Sequence, residues 1–564
     1  MRQRPYRLLT SLMISVALGG CASEAPEKPN SNSDDPFASL AENLTPLATQ
    51  CTFVASSGLM TVTIAAGETA IISKRAADSA ILQNGAPCDN AVTSGTLKRI
   101  EVTATGNNDT LVLDFTNGVF ATGTSSAATT GIDVDMGAGT GGVFGIRGQN
   151  AADTMTFGAD AITVNADNYK DVVVAGAETY TVYLGNGNDT FSAAGSTPTG
   201  ALFGAALTVY GGPGNDTFLQ GSAATPDETL WGGDGTDTVS YASRIAPLTI
   251  TAGTAKNDGD PAGAGEDDEI KSDIEVVTGG SAIDTMTGTD GFAITFNGGG
   301  ADDILTGADG NDTLNGDGDN DTLIGKDGDD VLNGGAGNDT FDEEAADNGS
   351  DTFNGGAGID VVDYSGRGVG VIVTMDGKTA NDGEDGEDDN VKGDVEDLIG
   401  TDEVDDITGN ALANVITGGL ENDELDGAAG DDVFYQDSDD DGDDNIVGGL
   451  GVDTVDYSDR TDPVHATLDG ATASGKYDDV GLAMLEGDTL ALDIENLMGG
   501  ADADVLTGNS LNNELAGGAG IDTLVGLDGD DVLDGGGQAD VLTCGNGHGD
   551  IGLNGTGAKT NCEF

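Results

Sequence analysis

The chain has 564 residues, with 20 Lys and Arg against 100 Asp and Glu and a net charge of −80. So few basic groups cannot neutralise a phosphate backbone, which excludes nucleic acid as a partner. The 92 glycines and 5% aromatic content would suit a solvated acidic coil, but a strict nine-residue period later in the chain excludes that class as well.

At the start, Arg2, Arg4 and Arg7 precede a short apolar run at 8–17 (LLTSLMISVA). The run is too short for a stable membrane span, so residues 1–20 read as a signal peptide. The segment Leu18-Gly19-Gly20-Cys21 resembles a bacterial lipobox. That resemblance implies cleavage before Cys21, lipid on its thiol and amine, and attachment to a membrane by several acyl chains. Ala22, where an Asp would retain the protein, is similar to an outer-membrane sorting signal. The expected location is therefore exported: a lipoprotein of the outer membrane or cell surface, or an extracellular protein. An ordinary signal peptide with a stray cysteine is the alternative. Residues 21–44 are rich in Pro, Ser, Asn and acids and read as a flexible tether.

Four further cysteines, Cys51, Cys88, Cys544 and Cys562, fall as two local pairs at opposite ends of the chain. In an exported protein they predict the disulfides Cys51–Cys88 and Cys544–Cys562. The longer loop should contribute about 3–4 kcal/mol by restricting the unfolded chain. Metal ligation is the rival reading, but no CxxC spacing accompanies it. Residues 45–210 alternate short β-prone runs with Gly, Asn and Asp turns, without a helical period. They read as an irregular β-solenoid that starts the repeat region, with a separate β-sandwich as the alternative. Asn188-Asp189-Thr190-Phe191 is a degenerate copy of the repeat that follows. Trp231, the single Trp, is expected in the core.

Residues 211–543 form the repeat region. Its clearest part, Gly298 to Asp342, is one nonapeptide written five times: GGGADDILT, GADGNDTLN, GDGDNDTLI, GKDGDDVLN, GGAGNDTFD. An acid stands at position six of each copy, and Leu305, Leu314, Leu323, Leu332 and Phe341 stand at position eight. Six turn residues and three strand residues cannot bury a face alone. Stacked, they bury a continuous line of apolar side chains as a solenoid. Acids in register in such a stack repel unless a cation lies between them. A hard divalent ion that accepts six or more oxygens fits, and calcium fits better than magnesium, which requires a stricter octahedron.

This pattern, G-G-x-G-x-D-x-U-x, resembles the repeats-in-toxin (RTX), or haemolysin-type, calcium-binding repeat. The resemblance implies an all-β fold, a right-handed parallel β-roll with two nonapeptides per coil and calcium between the turns of successive coils. The position-six acids are the expected ligands: Asp216, Asp237, Asp284, Asp303, Asp312, Asp321, Asp330, Asp339, Asp351, Asp360, Asp405, Asp423, Asp432, Asp444, Asp453, Asp504, Asp522, Asp531 and Asp540. They would hold on the order of ten to twenty calcium ions, given the oxygens each ion needs. Structural Asp residues in Asx-turns are the alternative. Asn414 and Asn513 replace the acid and predict weak sites or none.

A longer motif recurs three times: 232–244 (GGDGTDTVSYASR), 355–367 (GGAGIDVVDYSGR) and 448–460 (GGLGVDTVDYSDR). Each is followed by an acidic loop and then by Glu275, Glu396 or Glu495. Its Tyr241, Tyr364 and Tyr457, with Arg244, Arg367 and Arg460, suit either a recognition ladder or the closing of a turn with Arg paired to an acid. Such residues more often close a turn, which favours the second reading. Register shifts after Phe341 and Tyr435, where 343–345 and 436–438 are inserted, read as bulges. Residues 544–564 read as a disulfide-closed cap. This end does not resemble a type I secretion signal, a departure from secreted toxins and proteases of the family.

No H-E-x-x-H or G-x-S-x-G is present, and His465 and His548 are the only histidines. The chain is therefore read as no enzyme, but as a calcium-dependent surface protein with a structural or adhesive role toward a surface glycan or protein. The alternative is a polysaccharide-active lyase or epimerase in residues 45–210, on an RTX stalk. A pore-forming toxin ranks last, because no apolar stretch of spanning length follows the leader.

Overall fold

In the repeat, one apolar side chain per three-residue strand points inward, flanked by two that point out, and glycine-rich turns reverse the chain between strands. The computed structural model of the protein describes residues 35–38 and 51–562, except 89–91, 121–130, 166–168, 197–198, 254–255, 257, 261–265, 345–348, 379–380, 385–386, 437–440, 477–486 and 555–556. The leader, Cys21 and most of the tether lie outside the described residues, as does part of each short insertion.

Among the described residues, the named elements are all strands, and most of their pairings are parallel. Thr313–Gly318 pairs with Thr295–Asn297 on one side and Val331–Ala336 on the other. Ile304–Thr306 pairs with Thr285–Thr287 and Thr322–Ile324 in the facing sheet. Successive nonapeptides thus alternate between two sheets, and a coil is two nonapeptides. The apolar residues form two facing lines rather than one: Phe296, Leu314, Leu332 and Phe353 in one sheet, Leu305, Leu323, Phe341 and Val362 in the other, all at 0% exposure. Outside, Asn315, Asn333 and Asn354 each donate an amide N–H to the Asn one coil before, at 2.8–2.9 Å.

The turns are tight enough to require glycine where coils touch. Gly328 and Gly337 have φ of 154° and 147°. A Cβ would lie 1.9 Å from the Gly310 carbonyl oxygen at Gly328 and 2.0 Å from that of Asp319 at Gly337.

Only one of these two sheets, the one that carries Phe296 and Leu314, reaches back into the N-terminal region, where it faces a different sheet. Leu59–Ile64, Arg99–Ala104 and Ile132–Asp135 run parallel in one. Thr69–Lys74, Thr110–Asp114, Val143–Arg147, Thr179–Tyr183, Leu207–Pro213 and Glu228–Asp234 run parallel in the other. Both sheets of this region run on without a break into strands of the repeat region, Thr217–Leu219 in one and Glu228–Asp234 in the other. Cys51–Val54 lies antiparallel on Leu59–Ile64 and covers the first edge. The Cys51–Cys88 disulfide fixes it, with Cα atoms 5.5 Å apart. At the far end Cys544–Cys562, with Cα atoms 5.1 Å apart, ties down the coil that carries Ile551–Leu553 and Lys559–Thr560.

Each long motif marks a hand-over between sheets. One sheet ends at Glu269–Ile270 and a new one starts at Thr249–Thr251; the same happens at Asn390–Val391 with Ile372–Thr374, and at Thr489–Leu490 with Val464–Thr467. The opposite sheet runs through each time. Between the new and the old strand the described residues carry antiparallel bridges, Asp258–Asp268, Asp382–Asp389 and Ser474–Asp488.

Trp231 is not in the core. Its strand turns Leu230 inward, so the neighbouring Trp231 faces out. There it stacks on Tyr210, with centroids 5.9 Å apart and planes at 10°. Lys271 Nζ lies 4.9 Å from the centre of its ring.

Candidate metal centre

The position-six acids begin as turn residues and end up buried, because the next coil stacks on each turn. Asp303, Asp312, Asp321, Asp330 and Asp339 are at most 2% exposed. One carboxylate oxygen of each is used in the same way. The backbone N–H of Asp303 donates to Asp321 Oδ1 at 2.7 Å, Asp321 N–H to Asp339 Oδ1 at 2.8 Å, and Asp339 N–H to Asp360 Oδ1 at 2.9 Å. On the opposite edge the row runs from Asp312 through Asp330 to Asp351, at 2.7 and 2.8 Å. The acids thus form two rows along the solenoid, one on each edge, each acid bonded to the backbone of the coil before.

The second oxygen separates the acids into classes. In Asp216, Asp303, Asp321, Asp330, Asp339, Asp351, Asp360, Asp423, Asp432, Asp453, Asp522, Asp531 and Asp540 it is buried without a hydrogen-bond partner. A buried, unsatisfied carboxylate oxygen is costly. In Asp284, Asp312, Asp405 and Asp504 it accepts a backbone N–H, from Gly280, Ala308, Thr401 and Gly500, at 2.6–2.8 Å. These four stand where a row begins. Asp444 and Asp237 continue their rows through Oδ1, accepting from Asp423 and Asp216.

The orphaned oxygens face a space bounded by carbonyls. A Cβ on Gly316 would lie 2.3 Å from Asp321 Oδ2 and 2.6 Å from the Gly334 carbonyl oxygen, so the two oxygens converge where the chain has no side chain. Among the described residues, no three His, Cys, Asp or Glu side chains gather on one point. The oxygens that do converge, such as Asp321 Oδ2 and the Gly334 carbonyl, pair a carboxylate with a backbone carbonyl, and an all-oxygen set of that kind would suit a hard, high-coordination cation such as calcium. Such an ion, when bound, would supply the positive charge that the buried oxygens lack.

Burial raises many of the row acids when no cation is present. It pushes Asp351 up to about 9, with the charges of Glu343, Asp330 and Asp389 adding to it. Burial likewise lifts Asp444 to about 9, Asp216 and Asp423 to about 8, and Asp303, Asp321 and Asp330 to about 7.

Asn414 and Asn513 close their rungs by themselves. Their side-chain N–H donates to the Glu396 and Glu495 carbonyls at 2.6 and 2.8 Å. Their Oδ1 accepts the N–H of Asn410 and Asn509 at 2.9 and 2.8 Å. No oxygen is left over for an ion.

Row ends carry residues that spacing marked without explaining. Glu275, Glu396 and Glu495 accept the N–H of Asp237, Asp360 and Asp453 and so occupy a rung of the row. The other row of each junction ends at Asp268, Asp389 or Asp488. There the hydroxyl of Tyr241, Tyr364 or Tyr457 donates to the second carboxylate oxygen at 3.0, 3.1 and 2.6 Å. These tyrosines are fully buried, and the arginines beside them are at most 2% exposed. Arg244 binds Glu266, Arg367 binds Glu343 and Glu387, and Arg460 binds Asp441. They close turns and do not form a surface ladder. Glu343, read as part of a bulge, is an ion-pair partner.

Two acids missed from the sequence extend the rows. Asp189 Oδ1 accepts the N–H of Asp153 at 2.6 Å, and Asp550 Oδ1 that of Asp531 at 3.2 Å. In both, Oδ2 is buried and unpartnered. The degenerate copy of the repeat at 188–191 is the signal that could have found Asp189. Further toward the N-terminus the pattern stops: both oxygens of Asp109 accept backbone N–H groups, from Gly67 and Gly106. In the same region Arg75 pairs with Asp78, Arg99 with Asp133 and Lys170 with Asp160, each a separate pair.

The fold and the rows define a class: a parallel β-solenoid whose edges are lined by buried, under-satisfied carboxylates. The family of RTX calcium-binding nonapeptide repeats (four copies) matches residues 227–242, 295–323, 315–342, 345–363, 399–435, 492–510 and 507–542. The chain therefore carries RTX calcium-binding repeats, and calcium is the ion such repeats bind. No curated protein matches the chain.

Proposed function

We propose that the protein is an exported, surface-anchored lipoprotein whose repeat region is ordered by calcium and serves a structural or adhesive role. The observation that carries the calcium part is the set of buried Asp Oδ2 atoms without partners, from Asp216 to Asp540. Those acids, with Asp189 and Asp550, are the ligands we assign; Asp284, Asp312, Asp405 and Asp504 contribute chiefly to row starts. Because each rung exists only once two coils have stacked, ion binding and folding are one equilibrium. At the low calcium level inside a cell, the net charge of −80 opposes compaction. Outside, where calcium is abundant, the chain orders.

The anchor rests on the basic start, the short apolar run and the segment ending at Cys21. The adhesive role rests on location and on the long, regular outer faces, with a glycan or protein as partner. Metabolic labelling with a radioactive fatty acid tests the anchor: label is expected on the parent and absent from Cys21→Ser. Cell-to-surface attachment tests the role. It should fall on chelation and on deletion of the gene, and return with calcium. Attachment that ignores both would overturn the adhesive reading.

A further inference from the structure

Val143–Arg147 (VFGIR) is a strand paired in parallel on both sides, with Gly145 at its centre. A glycine in a strand interior weakens it and usually marks a close approach by another group. Here the backbone does not demand one, since Gly145 is not among the positive-φ residues. What approaches is Phe37. A Cβ on Gly145 would lie 2.5 Å from Phe37 Cζ and 2.6 Å from its Cε1. Phe37 is only 4% exposed, and it packs on the outer face of the sheet with Ile71, Val112 and Tyr183.

Register explains the slot. Ile71, Val112 and Gly145 lie side by side on adjacent strands, followed by Thr181, Thr208 and Thr229. The row is apolar only beneath Phe37 and becomes threonine beyond it. The next row outward supplies an ionic contact, because Arg147 binds Asp35 and also faces Asp114 at 3.6 Å. Asp35 also shapes the peptide: its Oδ1 accepts the Phe37 N–H at 2.8 Å, and its carbonyl accepts the Ala38 N–H at 3.1 Å. Pro36 sits at the bend between them. One aromatic ring, one carboxylate and one turn thus meet one hole, one guanidinium and one apolar patch.

We propose that Asp35-Pro36-Phe37 is a latch, and that the slot over Gly145 is its receptor. The latch makes the preceding 34 residues leave from the side of the solenoid, over the sheet face that carries Ile71, Val112 and Arg147. They do not leave from the terminal coil at Cys51. Whatever those residues are attached to is then faced by this side of the molecule. That orientation rests on the anchoring reading above, whereas the latch itself does not.

A nitroxide on Ala38→Cys, in the full calcium-loaded chain with Cys21→Ser, tests the latch. Ala38 is exposed, and the other four cysteines are in disulfides. The label should be motionally restricted in the parent and become freely mobile in Phe37→Ala and in Gly145→Val, which fills the slot. Circular dichroism and calcium uptake should stay unchanged in both. Phe37→Ala adds no bulk to the sheet and keeps the test readable if Gly145→Val disturbs its coil. A label already mobile in the parent, or equally restricted in the parent and Phe37→Ala, overturns the proposal. Fatty-acid labelling at Cys21 is read separately, so failure of the anchor and failure of the latch are distinguishable.

Discussion

An amide in place of a carboxylate separates a satisfied rung from one left with an orphaned oxygen. In Asp321 the second side-chain oxygen is buried and has no donor. In Asn414 both side-chain atoms are used: the amide N–H, turned to the coil before as Asp321 Oδ1 is, reaches the Glu396 carbonyl at 2.6 Å, and Oδ1 accepts the Asn410 N–H at 2.9 Å. Exchanging the two residue types should therefore move calcium uptake and calcium-free stability in opposite directions. Asp321→Asn should lose calcium in calorimetry yet resist unfolding better than the parent in chelator. Asn414→Asp should gain calcium and become less stable in chelator. Changing Asp321 and Asp339 together to Ala should reduce uptake more than changing Asn414 and Asn513; equal losses would show that position six is not the ligand. The period made these positions legible, because an acid recurring every nine residues can only line the edge of a coil. Their division into orphaned and satisfied acids was not legible. It depends on whether the acid's own turn offers an N–H to the second oxygen, as Gly280 does to Asp284, beyond the one that the coil before gives both classes, as Leu248 gives Asp284 and Asp303 gives Asp321. Asp189 stood in a recognised degenerate copy of the repeat but its place in a row was not legible, since the backbone it binds lies 36 residues away; for Asp550 the distance is 19.

At the scale of an element, the junctions decide how long a row can run. Each motif supplies a tyrosine hydroxyl for the last free oxygen of one row and an arginine for the acids around it. Tyr364→Phe should leave Asp389 with an unsatisfied oxygen and cost about 1–3 kcal/mol. Arg367→Met should cost more, about 3–5 kcal/mol, because it strands Glu343 and Glu387 without their buried counter-charge. Thermal unfolding of the calcium-loaded protein measures both; a larger loss for Tyr364→Phe would contradict the assignment. The sequence showed the motif three times but not the exchange of sheets it performs. Asp351 and Asp389 are neighbours in a row although 38 residues apart, since the junction lies between them. Spacing alone cannot find such a pair. Trp231 was misplaced for a related reason, since composition favours burial of a lone Trp but strand alternation turns it outward.

Across the whole molecule, the buried acids couple ion binding to pH. Their unfolded values lie near 4, and the folded, cation-free values of Asp216, Asp321 and Asp351 rise to about 8, 7 and 9. A raised folded value means that the folded state takes up protons. The contribution of these groups to the calcium-free fold is therefore fully present below about pH 4 and is lost as pH rises through about 7 to 9. Chelated protein should order on acidification and disorder at alkaline pH, followed by circular dichroism. Calcium binding at pH 7 should release protons, seen as a buffer-dependent heat in calorimetry. No dependence on buffer would mean that the acids are already ionised in the apo stack.

The most direct test is hydrogen exchange of the full chain at pH 8 and low ionic strength, with calcium and then with excess chelator. Chelation should abolish protection of the strand amides from residue 211 to 543, and added calcium should restore it. The first coils, where Asp109 has both oxygens satisfied by backbone N–H groups, should lose least. A metal-free protein that keeps the same protection throughout the repeats, and takes up no calcium afterwards, would contradict the account.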